Sequence, residues 1–441
     1  MSFTSPIQKL AQEFAYADIA TQAANLQNQQ NELNAESNGL DSLSSALTDF
    51  QSAIDALNSD TDGPLTFSAT SSNEANTVSA NSQAQAGTYS FYVTKLAQAQ
   101  QTTFNMSDDT FSASGTFELT MDDGTTMDID LAAADEDGDS FIDASELVDA
   151  INDSDDNPGV SAALVKTDGT TTIMLTSDTT GAQSAFSVNV TGNTSFSDQI
   201  TASKNNVTDA QDAEIHLGSQ TGPAITSSSN TFDDVIPGVT MTFTEASDPD
   251  DPNDVTTFTV AEDSSGSQEK VQTFVDAYNT LIDTIDSLTS YGDDDTAAGV
   301  FAGDAGMNSL ANQMDDIAHA SYGGVSIVDY GITLDSDGHL QIDSTQFSEE
   351  MEENPDGLTS IFVGEDSMVA QMDDLMDSYL DSSNGIIAMR QENIDDQQSK
   401  IQDESDQLTE TYNTNYERYV EEYTNTLVEV YTMKVSMAAF M

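Results

Sequence analysis

Leu40-Asp-Ser-Leu43-Ser-Ser-Ala-Leu47-Thr-Asp-Phe50-Gln-Ser-Ala-Ile54-Asp-Ala-Leu57 is the stretch on which the fold turns. Its large apolar residues, Leu40, Leu43, Leu47, Phe50, Ile54 and Leu57, alternate spacings of three and four. That is an a/d heptad seam, so the segment reads as a helix packing one edge against another helix. Followed backwards, the seven-residue series continues through Leu33, Leu26 and Ile19, but the interleaved positions are Gln22, Gln29 and Glu36. Half of that seam is polar, so residues 1–39 are expected to form a flexible helical leg that needs a partner to order. Followed forwards, Asp60-Thr-Asp-Gly63-Pro64 gives the Gly-then-Pro punctuation that stops a helix.

The far end of the chain mirrors this pattern. Ile394, Ile401 and Leu408 are seven apart, and Tyr412 and Tyr416 follow by fours, a stutter that shifts the seam. Tyr416, Val420, Tyr423, Leu427, Val430, Met437 and Met441 then form a second seam, with Lys434 as its polar exception. Arg390, Lys400, Arg418 and Lys434 are four of the nine basic residues, so this helix can pair with the acidic N-terminal one. Between the ends, Val271, Phe274, Val275, Tyr278, Leu281, Ile282, Ile285 and Leu288 make an i, i+3, i+4, i+7 stripe. The 40–57 seam is expected to pack on it. Shorter stripes run through Met307, Leu310, Met314 and Ile317, and through Met368, Met372, Leu375, Met376, Tyr379 and Leu380.

From about residue 65 to 260 the period changes to two. Tyr89, Phe91 and Val93 alternate with polar residues, as do Phe117, Leu119 and Met121, Met127, Ile129 and Leu131, and Val239, Met241 and Phe243. These read as half-buried antiparallel strands. Parity fixes the turns, because a one-residue slip would move a strand's apolar set to the wrong face. It predicts three-residue loops at Asp122-Asp123-Gly124 and Ser336-Asp337-Gly338, and a two-residue turn at Asp168-Gly169. The expected fold class is α+β multidomain. A discontinuous coiled-coil helical domain comes from both termini, with two antiparallel β-rich domains in the middle. The expected divisions are a leg at 1–39, a helical domain at 40–64 and 264–390, a β domain at 65–103 and 204–263, an inserted β domain at 104–203, and a second leg at 391–441.

Composition narrows the function. The 441 residues carry 9 Lys and Arg against 78 Asp and Glu, a formal charge of −69. Without a basic footprint, nucleic acid and anionic membrane surfaces are excluded as partners. The apolar runs are too short to span a bilayer. There is no cysteine, so no disulfide framework, thiolate metal site or cysteine nucleophile exists. Such acidity could signal disorder, but the periodic apolar residues argue for a folded protein with a carboxylate surface, at home in a saline exterior. The opening Met1-Ser-Phe-Thr-Ser-Pro-Ile-Gln-Lys lacks the pattern of a secretory signal, so export would take another route.

The most specific local constellation is Asp135-Glu-Asp137-Gly-Asp139-Ser-Phe141-Ile142-Asp143-Ala-Ser-Glu146. As a twelve-residue loop it puts Asp135, Asp137, Asp139, Asp143 and Glu146 at positions 1, 3, 5, 9 and 12, the spacing that wraps oxygens round a calcium ion. Ser140 stands where that motif wants Gly, and no helix is expected before the loop. Against the calcium reading, Asp143 and Glu146 also make a capping box for a helix at 147–151. No cofactor is required. His216, His319 and His339 are scattered without ligand spacing, and paired acids are too common here to mark acid–base catalysis. The chain does not read as an enzyme.

Several stretches together resemble one family. They are Leu43-Ser-Ser-Ala-Leu47-Thr-Asp-Phe50, Ala86-Gly-Thr-Tyr-Ser-Phe-Tyr-Val-Thr-Lys-Leu-Ala-Gln-Ala99, Asn157-Pro-Gly-Val160, Ile236-Pro-Gly-Val-Thr-Met-Thr-Phe243, Phe274-Val-Asp-Ala-Tyr-Asn-Thr-Leu-Ile282, Gly338-His-Leu-Gln-Ile-Asp343 and Asn354-Pro-Asp-Gly-Leu-Thr-Ser-Ile-Phe362. Across residues 40–441 the chain resembles the flagellar filament cap proteins, or hook-associated protein 2 family. The first 40 residues lack that family's usual Gly-rich opening. The resemblance implies a ring-shaped homo-oligomer at the filament tip, exported by the flagellar type III apparatus with an export chaperone, that holds arriving flagellin while it folds and is added beneath. The 416–441 tail would contact the filament. The alternatives are another axial protein, such as flagellin or a hook–filament junction protein, and a secreted adhesin that uses the 135–146 calcium loop to meet a host or surface receptor.

Overall fold

The computed structural model describes residues 4–59, 62–106, 111–167, 170–292 and 297–440. They form two units: residues 1–65 with 264–441, and residues 66–263. The fold is α+β, helical at both ends and built of antiparallel sheets in between. No helix among the described residues is long and apolar enough to cross a membrane.

Two long helices, Thr4–Leu57 and Ile386–Phe440, dominate the first unit. They run antiparallel, since Phe14 meets Tyr419 and Tyr423 while Ser37 bonds Gln391. Leu40, Leu43, Leu47, Phe50, Ile54 and Leu57 are all buried. Phe50 lies 5.9 Å from Phe274 and 6.1 Å from Tyr278 of the helix Ser264–Thr289. Each such side chain withdrawn from water contributes about 1.5–3 kcal/mol, so these six outweigh the modest helix propensity of the Ser- and Asp-rich residues between them. Gly39 is needed for a close approach. A Cβ there would come within 2.7 Å of Val300 and 3.0 Å of the Phe301 ring.

The first leg is one continuous helix with the rest of Thr4–Leu57. Gln22 and Gln29 face solvent, while Leu26 and Leu33 are buried. Ala11 and Ala15 are fully buried as well. Small residues let two helix backbones approach, so alanine occupies seam positions that a search for large residues passes over.

The second unit holds two cores. In one, a five-stranded sheet runs Phe67–Ser71, Thr256–Glu262, Gly87–Lys95, Ala213–Leu217, Ala224–Ser227, and a three-stranded sheet joins Thr231–Ile236, Val239–Thr242 and Thr77–Ala80. Phe91, Phe232, Phe243 and Phe258 form the aromatic centre. Tyr92, on the face the alternation assigns to solvent, is buried as well; its hydroxyl donates to the Asp248 carbonyl at 3.0 Å, which satisfies its polar tip. In the other core, the four-stranded sheet Asn205–Thr208, Gln101–Asn105, Thr170–Ser177, Val160–Thr167 and the three-stranded sheet Phe186–Thr191, Thr116–Met121, Thr126–Asp130 enclose Phe104, Phe117, Leu119, Ile173 and Phe196.

Turn parity is visible in the registers. Met121 N–H donates to the Thr125 carbonyl at 2.8 Å around residues 122–124, with Gly124 left-handed at φ 87°. Asp335 N–H donates to the His339 carbonyl at 2.9 Å around 336–338, with Gly338 at φ 83°. Thr167 pairs with Thr170; the Asp168-Gly169 turn lies outside the described residues. One strand is shorter than expected. Leu131 opens a one-turn helix, Leu131–Ala134, because Asp130 caps it by accepting from Ala132 N–H, and three alanines follow. A helical turn therefore does precede the acidic loop, contrary to the strand expected to run through Leu131.

Candidate functional site

The distal half of Ile386–Phe440 divides into a paired and an unpaired part. Tyr416, Val420 and Tyr423 are half-buried. The Tyr412 and Tyr416 rings stack at 6.4 Å, the Tyr419 and Tyr423 rings at 6.0 Å, and Phe14 lies 5.8 Å from both members of the second pair. Arg418 sits 4.8 Å over the Tyr419 ring and 3.6 Å from Asp18. The Tyr419 hydroxyl donates to Asp18 at 3.0 Å, and this bond to a carboxylate pushes its pKa up. Tyr423 thus serves the pairing of the two long helices. Beyond it every side chain from 427 to 438 is exposed, including Leu427, Val430 and Met437. So are Val428, Tyr431, Met433 and Val435, which a narrow seam leaves out. Their signal in the sequence is apolar density rather than period.

The base of the same helix is fastened by charge. Arg390 donates to both oxygens of Asp304, at 2.8 and 2.9 Å, and its guanidinium lies 5.9 Å from the centre of the Phe301 ring. Asp304 also caps the helix Ala305–His319, accepting from the Gly306 and Met307 N–H groups. Arg390 first, and these N–H groups after it, hold the Asp304 carboxyl below the usual range. Asp304 is one of 78 acids, and nothing local marks it as the partner of a cation 86 residues away.

In the acidic loop, Asp135, Asp137 and Asp139 each place an oxygen within 4.8 Å of the others. Asp135 accepts from the N–H groups of Gly138 and Ser140, Asp137 from Asp139, and Asp139 from Phe141. Ser140, at φ 71°, is the one non-glycine residue with positive φ among the described residues. It takes the left-handed conformation for which glycine is usual at that position. Asp143 and Glu146 stand apart from the trio as the capping box of Ala144–Asn152. Glu146 also accepts from Glu136 and Asp137 N–H, folding the loop back over the helix start. Each carboxylate oxygen keeps a lone pair beyond these bonds, so the trio fits a hard oxygen-seeking cation.

The histidines lie in separate elements. His216 bridges Gly222 and Glu214, His319 bonds Asp315, and His339 sits 2.9 Å from Asp283.

Comparison with known proteins gives a family to this geometry. Two family models match: the N-terminal region of flagellar hook-associated protein 2 over residues 5–100, and its C-terminal region over 210–432. The first begins at residue 5, so the resemblance extends into the opening 40 residues as well. The lateral flagellar hook-associated protein 2 of Vibrio parahaemolyticus is 35% identical over 371 residues, covering 82% of each chain. The B-type protein of Pseudomonas aeruginosa is 30% identical, covering 78% of this chain and 76% of its own. The crystal structure of the D1-D2-D3 domains of the flagellar cap protein FliD from Escherichia coli superposes with a TM-score of 0.67 at 27% identity, covering 81% of this chain and 99% of that one. A paired helical unit from both chain ends, antiparallel sheet cores between them and these matches have one reading: the chain belongs to the flagellar hook-associated protein 2 family, the structural caps of the bacterial flagellar filament.

Proposed function

We propose that copies of this chain form a ring at the tip of the growing filament, retain exported flagellin there, and release it folded into the polymer. The work is steric and driven by binding, with no bond made or broken by the chain. Before export through the flagellar apparatus an export chaperone holds it, and once assembled its outer surface is open to surface receptors. The observation that carries this reading is the exposed apolar run at 427–438, at the end of a 55-residue helix. Apolar surface left out of the chain's own fold marks a site for a partner. Tyr416, Val420 and Tyr423 build the shaft, and Leu427, Val430 and Met437 touch the filament. Deleting residues 430–441 should leave the β-rich unit folded and abolish capping, seen as bare hooks by electron microscopy and flagellin in the spent medium. Normal filaments from that strain would refute the reading.

A second reading concerns the acidic loop, which takes one calcium ion through Asp135, Asp137, Asp139 and the Phe141 carbonyl. The gathered oxygens and the left-handed Ser140 favour it. Calcium titration of the full chain should release heat and raise the melting temperature, and Asp137→Asn should remove both effects. A flat titration would remove the ion.

A further inference from the structure

Several sheet edges in the β-rich unit are guarded. On the outer strand Val160–Thr167, Asn157 bonds both the N–H and the C=O of Val160, and Asn152 does the same for Ala162. Gln100 fills both groups of Phe186 on the strand Phe186–Thr191. The register of Asn205–Thr208 shifts between Asn206 and Thr208, and Asp128 and Asp130 stand exposed on Thr126–Asp130. Such devices stop a further strand from adding to a sheet.

The strand Ala224–Ser227, at one end of the five-stranded sheet, carries none of these. No charged residue occurs from 217 to 232. On its inner side the Leu217 N–H donates to the Pro223 carbonyl at 3.1 Å, and Ile215 lies opposite Ile225. Bonded pairs alternate along an antiparallel ladder, so Ala224 and Thr226 turn their N–H and C=O groups outward. Both residues are exposed, and these four groups have no partner among the described residues. The opening is bounded on both sides. Pro223 has no N–H, and the Ser228 carbonyl accepts from the Thr180 hydroxyl at 2.6 Å.

We propose that this edge pairs with the same edge of a second copy of the chain, antiparallel about a two-fold axis between the two Ile225 residues. Ala224 of each copy then faces Thr226 of the partner subunit, and all four open groups of each copy find their bonds. The Ile225 side chains, half-buried against the aromatic core, meet across the axis. The join brings no like charges face to face, which is the condition two chains of formal charge −69 must meet to touch. On the next strand inward, Glu214 lies opposite Thr226 and is paired with Lys95 at 3.5 Å. A contact of this symmetry closes on two chains and does not repeat round a ring, so it is separate from the contacts that build the cap.

The test uses the full chain. It has no cysteine, so Ile225→Cys adds one thiol per copy. Across the axis the two Cα atoms of residue 225 are about 4.5 Å apart, within the roughly 4.4–6.8 Å that a disulfide spans. At residue 227 the separation is about 13 Å. Under air oxidation in high salt, Ile225→Cys should form a covalent dimer roughly tenfold or more faster than Ser227→Cys. Sedimentation of the unmodified chain should show dimers that grow with concentration and with salt, as repulsion is screened. Thr226→Pro removes an N–H that the fold does not use, at an edge position that tolerates proline, so it should abolish the dimers with the sheet intact by circular dichroism. Equal crosslinking at 225 and 227 would overturn the inference. So would dimers that survive Thr226→Pro, or a chain that stays monomeric at every concentration.

Discussion

Tyr278→Phe should stabilise the helical unit. Tyr278 is fully buried among Phe50, Phe274 and the neighbouring helices, and its hydroxyl has no hydrogen-bond partner among the described residues. An orphaned buried hydroxyl costs about 1–3 kcal/mol. Phenylalanine keeps the ring and its packing and removes only the oxygen, so most of that cost should be recovered, less a few tenths for the small void. With a net gain of about 1 kcal/mol, the melting temperature should rise by roughly 2–4 °C for a unit of this size. Tyr330→Phe is the matched control. Its ring is equally buried, but its hydroxyl donates to the Asn354 carbonyl, so the same change should destabilise by about 1–2 kcal/mol. Calorimetry in high salt would read both. Alkali acts on both residues, because burial pushes both hydroxyls up. Burial, with the Asp315 charge behind it, raises the Tyr278 pKa above that of an unfolded tyrosine. Its contribution is therefore fully present below about pH 10 and is lost as pH rises beyond it. Tyr278→Phe should flatten that alkaline loss. A destabilised Tyr278→Phe, or the same sign for both variants, would refute the reasoning.

Two further changes probe the legs and the sheet edges. Arg390→Lys gives up the bidentate bond to Asp304, so amide exchange around residues 386–394 should quicken while the β-rich unit is unaffected. The depressed Asp304 carboxyl makes the same fastening weaken as pH falls below about 4, since a lowered folded pKa stabilises only above it. On the outer strand Val160–Thr167, Asn152 donates to the Ala162 carbonyl at 2.9 Å and accepts its N–H at 2.8 Å, filling hydrogen-bond sites that a further strand would otherwise use. Asn152→Ala should reopen that edge, giving concentration-dependent association by sedimentation at a cost of about 1–2 kcal/mol in stability.

What could be read in the sequence was what is decided locally. The seam at 40–57 and the loops at 122–124 and 336–338 follow from spacing and parity, which hold whatever the rest of the chain does. Leu131 went astray because apolar alternation continued for one residue into a segment whose Asp-Leu-Ala-Ala-Ala composition favours a capped helical turn. Ala11 and Ala15 are too small to count in an apolar pattern, yet both are fully buried in the leg. Tyr92 is buried through a polar tip that finds Asp248, 156 residues away. The Arg390–Asp304 fastening and the grouping of Asp135, Asp137 and Asp139 apart from Asp143 and Glu146 depend on three-dimensional placement that residue spacing leaves open. At 427–438 the pattern located the segment but understated its apolar width.

The seam between the first and last helices joins Ser37 to Gln391, a separation of 354 residues. Contacts of such high order are slow to find, because the intervening chain must give up its freedom before they form. The β-rich unit offers a way round the delay. It is continuous from 66 to 263, and once strand Phe67–Ser71 zips to Thr256–Glu262, Asp263 N–H bonds the Thr66 carbonyl at 2.9 Å. Some two hundred residues of loop collapse to a single short bridge, and the chain to be closed between Ser37 and Gln391 falls from 354 residues to roughly 155. On this logic the sheets act as a folding clamp for the legs, so a lesion that merely slows strand zipping would appear first as helices that fail to pair.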